Sequence, residues 1–341
     1  MKKIKIAQIG TSKNSHGNHI FNSLKKNDDI FEIVGYVMPE NEREKFPDHI
    51  KIFEGYKELT LEEVLNNPEI EAVTVETEEI YLTKYATLAA QHNKHIHMEK
   101  PGGTDLEAFE NMIKASKESG KVFHTGYMYR YNPYIMELKE QIKNGELGEI
   151  ISVEAQMNCI LPKEARQWLE NFSGGMMFYL GCHLVDLILQ IQGTPRSIIP
   201  LNKCSHIDGV TAEDFGMAVF EYENGISFAK TSAVEIGGFE RRQLVVSGTK
   251  KTVELKPLEW FEDGFAGDRK QVTQRYVRED ADWHHLTPPE KSVAHDRYDG
   301  MMRSFAKMVR GEKENPWGCD YELELYKTIL KACGGMKNVQ E

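Results

Sequence analysis

Over the first 125 residues, short apolar runs with a two-residue period alternate with longer segments of helical period. "KIKIAQIG" (3–10), "FEIVGYVM" (31–38), "EAVTVET" (71–77), "KHIHMEK" (94–100) and "KVFHTGY" (121–127) read as strands. Between them, "HGNHIFNSLKK" (16–26), "TLEEVLNNP" (60–68), "YLTKYATLAAQHN" (81–93) and "TDLEAFENMIKASKESG" (104–120) read as helices. Thr60 is a candidate N-cap, Thr104 or Asp105 caps the last helix, and Gly120 ends it. Strand–helix–strand order with short connections forces parallel pairing and right-handed crossovers. The prediction is a doubly wound α/β domain over 1–125.

The pattern then changes. A helix at 133–145 precedes a strand-like run at 149–160, and a glycine-led helix covers 174–193. From about residue 195 strands follow one another without helices between them, and "ENG" (223–225) joins two alternating runs as a hairpin. Helices at about 295–311 and 320–335 close the pattern. This predicts a second, α+β domain over 126–341, built on a large open, mainly antiparallel sheet. A chain of 341 residues suits two cores.

Charge limits the partners. Forty-two basic residues stand against 53 acidic ones, for a net charge of −11. An acidic surface repels phosphate backbones and anionic headgroups, so neither nucleic acid nor membrane is an expected partner, although "FERRQL" (239–244) is a local basic run. No apolar run approaches the ~18–20 residues of a membrane span, and the alternation in "MKKIKIAQIG" marks a buried strand rather than a signal segment. Five cysteines without C-x-x-C spacing read as reduced thiols, and a cytoplasmic location is expected. "WHH" (283–285) offers adjacent histidines that splay apart and no third ligand, so no metal is assigned.

A dinucleotide turn uses one glycine for the bend, one for close approach of the pyrophosphate and one for helix packing. Gly10 ends the first strand as required, Ser12 stands at the second position, and the third falls at His16 or Gly17. The turn is degenerate. At the end of the second strand, where an acid usually meets the ribose hydroxyls, the chain has Met38, with Glu40 and Glu42 following. Their charge favours NAD, while Arg43 keeps NADP open.

The downstream motifs are more specific. "KHIHMEKPGG" sets Glu99-Lys100-Pro101 at the carboxyl end of a strand, the edge where such sheets bind ligands. "GYMYRYNP" (126–133), "NGELGEI" (144–150) and "SGGMMFYLGCHLVD" (173–186) follow. In this order and spacing the series resembles the glucose–fructose oxidoreductase/inositol dehydrogenase (Gfo/Idh/MocA) family over most of the chain. The resemblance implies a Rossmann domain for NAD(P), a C-terminal α/β domain with a large sheet, and sugar or cyclitol substrates. It also implies a homodimer or homotetramer. The E-K-P lysine, here Lys100, lies near nicotinamide and substrate in that family, and the peptide before the proline is often cis. His183 matches the family's proton-transfer histidine. The aspartate usual four residues before it is replaced by Tyr179, which in a regular helix shares a face with His183 and Asp186. The "SGG" start leaves backbone N–H groups for a polar ligand.

Candidate catalytic residues are therefore Lys100, His183 and Tyr179. Candidate cofactor contacts are Gly10, Thr11, Ser12, His16, Met38, Glu40, Thr77, Glu99, Lys100 and Pro101. Candidate substrate contacts are Lys100, Tyr127, Arg130, Trp168, Tyr179 and His183, with Asp186 read as structural. The leading expectation is hydride transfer from a secondary alcohol of a sugar-like polyol to nicotinamide. In it, His183 takes the hydroxyl proton and Lys100 stabilises the developing alkoxide. The alternatives are redox-neutral lyase or glycosidase chemistry with tightly held NAD, and a non-catalytic sugar or nucleotide sensor.

Overall fold

The computed structural model describes residues 2–261, 270–279 and 287–335. The chain divides into two compact units, one formed by residues up to Met128 with Tyr298–Tyr326, the other by Tyr129–Arg297 with the chain from Lys327 onward.

The first unit runs β1 (Ile4–Ile9), α1 (Gly17–Lys26), β2 (Phe31–Val37), the short α2 (Glu42–Lys45), α3 (Leu61–Asn66), β3 (Ala72–Val75), α4 (Leu82–Gln91), β4 (His95–Met98), α5 (Leu106–Ser119) and β5 (Phe123–Thr125). Its five strands are parallel, in the order β2-β1-β3-β4-β5. The order reverses between β1 and β3, which opens a crevice at the carboxyl ends of those strands. Ile6, Ala7 and Ile9 of β1 and Ala72, Val73 and Val75 of β3 are buried, as parallel strands covered on both faces require.

The local signals act as their chemistry dictates. Thr60 Oγ1 accepts from the Glu63 N–H (3.1 Å) while Glu63 Oε2 accepts from the Thr60 N–H (2.7 Å), a capping box contributing ~0.5–2 kcal/mol. Asp105 caps α5 by accepting from the Ala108 N–H (2.7 Å), and Gly120 ends it at φ +63°.

Two late helices, α9 (Asp299–Val309) and the part of α10 (Cys319–Ala332) up to Tyr326, belong to this first unit. The expected second domain of 126–341 is corrected accordingly. The cause is specific packing: Tyr298 stacks on His19 at 5.3 Å and 8°, and Ser23 donates to Asp299 Oδ1 (2.7 Å). Tyr326 stacks on Phe109 at 4.0 Å and 4°, and its hydroxyl donates to the Gly103 carbonyl (3.1 Å). An amphipathic pattern says that a helix has a face to bury, not which sheet receives it.

The second unit contains α6 (Pro133–Lys143), β6 (Ile150–Asn158), α7 (Lys163–Trp168), α8 (Cys182–Gln192), β7 (Ser197–Pro200), β8 (Phe215–Tyr222), β9 (Gly225–Ser232), β10 (Gln243–Gly248), β11 (Thr252–Leu255), β12 (Trp260–Phe261), β13 (Gln271–Val272), β14 (Gln274–Arg278) and β15 (Glu290–Lys291). Its main sheet has the order β15-β14-β11-β10-β6-β9-β8-β7. β6 and β9 pair in parallel and the other neighbours are antiparallel. Tyr222 faces Gly225 across the "ENG" hairpin. The "FERRQL" run does not form a basic patch: Arg241 pairs with Glu235 (2.7 Å), and Arg242 is buried against Glu259.

All five cysteines are free thiols. Among the described residues no helix is long and apolar enough to cross a membrane, and no group of three His, Cys, Asp or Glu could hold a metal ion. Trp283, His284 and His285 lie outside the described residues.

Candidate active site

In the first unit, Gly10 leaves β1 at φ +83°. A Cβ there would stand 2.6 Å from Thr77 Cγ2 and 2.9 Å from Glu42 Oε2, so only glycine fits the bend. A Cβ at Gly17 would meet Glu76 Cβ at 3.0 Å, which makes Gly17 the helix-packing glycine. Gln8 Nε2 donates to the carbonyls of Gly10 (3.0 Å) and Gly17 (3.2 Å), tying the two sides of the turn together. Ser12 is buried; its N–H donates to the Glu76 carbonyl (3.1 Å), and its Oγ accepts from the Asn14 and Ser15 N–H groups (3.2 and 3.1 Å). Lys13, at the tip, is exposed.

Carboxylates occupy other parts of this turn. The Thr11 N–H donates to Glu42 Oε2 (2.8 Å), and the Glu78 N–H to Glu42 Oε1 (3.2 Å). Burial pushes the Glu42 carboxyl up to about 7 in spite of those donors. The His16 N–H donates to Glu99 Oε2 (3.1 Å), and its Nδ1 lies 3.0 Å from the same oxygen.

The end of β2 is committed within the protein. Met38 packs against the Phe21–Tyr36–Phe53 cluster. Glu40 accepts from Lys84 Nζ (2.5 Å) and from the Tyr85 hydroxyl (2.7 Å), bonds that hold its carboxyl below the usual range. Arg43 pairs with Glu58. The bend at Gly10 and the close packing at Gly17 are those of a dinucleotide-binding turn, with Lys13 exposed at its tip, while the Ser12, Asn14 and Ser15 N–H groups are bonded within the protein. Of the two acids expected for the ribose, Glu40 is held by Lys84 and Tyr85 and Glu42 accepts from the Thr11 and Glu78 N–H groups.

The carboxyl ends of β3 and β4 carry a dense set of ionisable groups. Glu76, Glu79, Glu99 and Lys100 are all buried, and the Lys100–Pro101 peptide is cis. Lys100 Nζ lies 3.6 Å from Glu99 Oε1. Burial raises the Glu79 carboxyl to about 8, and it raises Glu76 well above the carboxylate range with the help of Glu99. Burial also works to raise Glu99, but His16 and Lys100 outweigh it and hold Glu99 at about 2. His97 is lowered to about 4 by burial, with its Nδ1 2.7 Å from His124 Nδ1. Thr77 donates to the Glu78 carbonyl (3.2 Å) and packs against Gly10. Tyr127, beyond β5, is buried. Sequence reasoning missed Glu76, Glu79 and His97; the signal was three acids in "VETEE" directly after an apolar strand, at the edge where such sheets bind ligands.

In the second unit, the "SGG" segment does not begin as a regular helix. Residues Met177–Gly181 form a π-helical turn, and α8 follows. Tyr179 lies in this wider turn, whereas His183 and Asp186 both lie in the regular helix α8. Tyr179 is half-buried, with its ring edge-on to Trp168 at 5.0 Å and 84°. His183 is buried, edge-on to Tyr129 at 5.5 Å and 69°. Asp186 binds Arg130 through Nε (3.0 Å) and Nη2 (2.8 Å), with both side chains buried. Arg130, expected as a substrate contact, is thus tied to Asp186. The two glycine donors of "SGG" are taken: Gly174 N–H bonds Glu213 Oε2 (2.8 Å) and Gly175 N–H bonds the Phe172 carbonyl (3.1 Å), while the next donor, Met176 N–H, bonds the Glu213 carbonyl (2.8 Å).

Residues 4–127 match the model of an oxidoreductase family with an NAD-binding Rossmann fold, and residues 135–254 match the GFO/IDH/MocA C-terminal domain. The chain belongs to the Gfo/Idh/MocA oxidoreductase family. Among its relatives, a scyllo-inositol 2-dehydrogenase (NADP(+)) of Bacillus subtilis is 24% identical over 246 residues, 72% of this chain and 64% of that protein. A glucose-6-phosphate 3-dehydrogenase of the same organism is 28% identical over 195 residues, 55% of this chain and 53% of that protein. The chain therefore spans a little under two thirds of the first relative's length and about half of the second's. A levoglucosan dehydrogenase in complex with NADH and levoglucosan shares the fold at a TM-score of 0.77, with 15% identity and 98% of each chain covered. A 3-ketoreductase from Actinomadura kijaniata, solved with NADP, does so at 0.77, with 16% identity and 98% of each chain.

Proposed function

We propose that this protein is an NAD(P)-dependent dehydrogenase acting on a secondary alcohol of a sugar or cyclitol. The observation that carries the reading is Lys100: a fully buried lysine beside Glu99 at the carboxyl end of β4, in a unit that matches the NAD-binding Rossmann model. Two dehydrogenases of polyol-like substrates among the relatives support the substrate class.

When bound, NAD(P) supplies the hydride acceptor. Lys100, kept charged by Glu99, stabilises negative charge developing on the carbinol oxygen. His183 accepts the hydroxyl proton, and its burial among apolar helix residues keeps bulk water from competing for that proton. Tyr179 offers a hydroxyl where the family has an aspartate, and the Trp168 face suits the apolar side of a sugar ring.

The test is Lys100→Ala against a panel of polyols and sugar phosphates, with nucleotide binding followed by thermal shift. Hydride transfer is expected to fall by ~10²-fold or more while nucleotide binding changes little. Turnover equal to wild type in that variant removes Lys100 from the mechanism.

A further inference from the structure

His16 stands at the N-cap of α1, a position where Ser, Thr, Asp or Asn usually satisfies the free amides of the first turn. Its side chain makes no such bond to the helix. It turns instead to Glu99: the His16 N–H donates to Glu99 Oε2 (3.1 Å), and Nδ1 lies 3.0 Å from Oε2 and 3.2 Å from Oε1. One residue thus grips a buried carboxylate through both its main chain and its ring. The ring is held in turn by Tyr298, which lies 5.4 Å from it at 44° while stacking on His19 at 5.3 Å and 8°. The same carboxylate faces Lys100, whose Nζ is 3.6 Å from Oε1. An ionised carboxylate only accepts hydrogen bonds, so Nδ1 carries the proton of this contact. A single donor leaves a carboxylate free to turn about its last bond, where the torsion is soft; a second donor fixes its plane. The Glu99 and Lys100 side chains are 2% and 0% exposed, so water does not replace a donor that is lost.

We propose that His16 is a positioning residue for Lys100: its Nδ1–H and main-chain N–H together fix the plane of the Glu99 carboxylate that faces the lysine. Because His16 also opens α1, the start of that helix and the lysine at the end of β4 are held by one carboxylate. The inference rests on the reading of Lys100 as a site residue, but its test reads the lysine directly and needs no turnover.

The experiment uses the full chain labelled with ¹⁵N in histidine and lysine. The His16 ring and the Lys100 side chain are assigned by the loss of their signals in His16→Asn and Lys100→Ala. In alkaline solution an unrestrained neutral imidazole favours the proton on Nε2, whereas His16 is expected to keep its proton on Nδ1. A bare Nδ1 there overturns the proposal. Two substitutions then separate the donor from packing. Asparagine keeps an amide N–H in the place of Nδ1 and gives up the ring, whereas phenylalanine keeps a ring against Tyr298 and gives up the donor. The Lys100 resonance is expected to stay near its wild-type position in His16→Asn and to shift or broaden in His16→Phe. Packing alone predicts the reverse order; that order, equal shifts in both variants, or no shift in either overturns the proposal. If His16→Phe fails to fold, the Nδ1 proton and the His16→Asn spectrum decide. Wild-type turnover in Lys100→Ala would instead remove Lys100 from the mechanism and leave both readouts standing, so the two readings fail separately.

Discussion

The edge of the parallel sheet and the π-turn of the second unit bury charge in opposite ways. At the ends of β3 and β4, Glu76, Glu79 and Glu99 outnumber Lys100, so the net charge depends on which carboxyls keep protons. Around α8 the buried charges are matched: Arg130 and Asp186 form a two-pronged pair, and Gln190 Nε2 adds a bond to Asp186 Oδ2 (2.8 Å). The first arrangement is responsive to pH, and the second is held together by an ion pair. A matched pair suits a scaffold that must not change, and an unmatched set suits a place where a proton has to be held.

The largest effect expected from breaking this contrast is at the matched pair. Arg130→Ala leaves Asp186 buried without its cation, and removing one partner of such a pair costs ~3–5 kcal/mol. Urea denaturation measures it, and a loss below ~1 kcal/mol would mean that water reaches Asp186 as it reaches a surface pair. The unmatched set predicts a slope instead. The folded-state value of Glu79 is about 8, above the ordinary 4.5, so the folded chain holds a proton that the unfolded chain has released. Its contribution to stability is fully present below the ordinary value and is lost as pH rises toward 8, by up to ~1.4 kcal/mol per pH unit. Glu79→Gln cannot ionise, so it should flatten that part of the stability–pH curve and exceed wild type at alkaline pH. Parallel curves for the two proteins would show that Glu79 is already ionised.

The same contrast explains what the sequence could tell. Periodicity, the Thr60 cap, the Gly120 stop and the "ENG" turn are local, and each specifies its element through a few neighbouring residues. The position of Lys100 was legible too, because a strand followed by Glu-Lys-Pro must place the lysine at the strand's carboxyl end. Long-range pairing was not. Nothing near Tyr298 or Tyr326 announces that these rings stack on His19 and Phe109, and nothing near Gly174 says that Glu213 takes its amide. The π-turn was illegible for a related reason: the i, i+4 spacing of Tyr179 and His183 is the same in the sequence whether the turn is regular or widened. The acids in "VETEE" were visible but carried no sign of burial, since glutamate is rarely buried unless paired.

The smallest predicted effect concerns the rim of the π-turn. Trp168 and Tyr179 meet edge to face at 5.0 Å and 84°, a geometry in which the positive edge of one ring lies against the negative face of the other. Both rings are half-buried, so either can be truncated without opening a closed core. Trp168→Leu, Tyr179→Leu and the double variant form a cycle whose coupling should be ~0.5–1.5 kcal/mol by denaturant unfolding. Trp168 also meets Phe172 at 4.7 Å, so its single substitution should cost more than that of Tyr179. A coupling of that size means that the aromatic rim is set before any ligand arrives, which lowers the ordering cost of binding a sugar face. Zero coupling would mean that the two rings pack independently, and preorganisation at this end of the protein would then rest on the Arg130–Asp186 pair rather than on the rim.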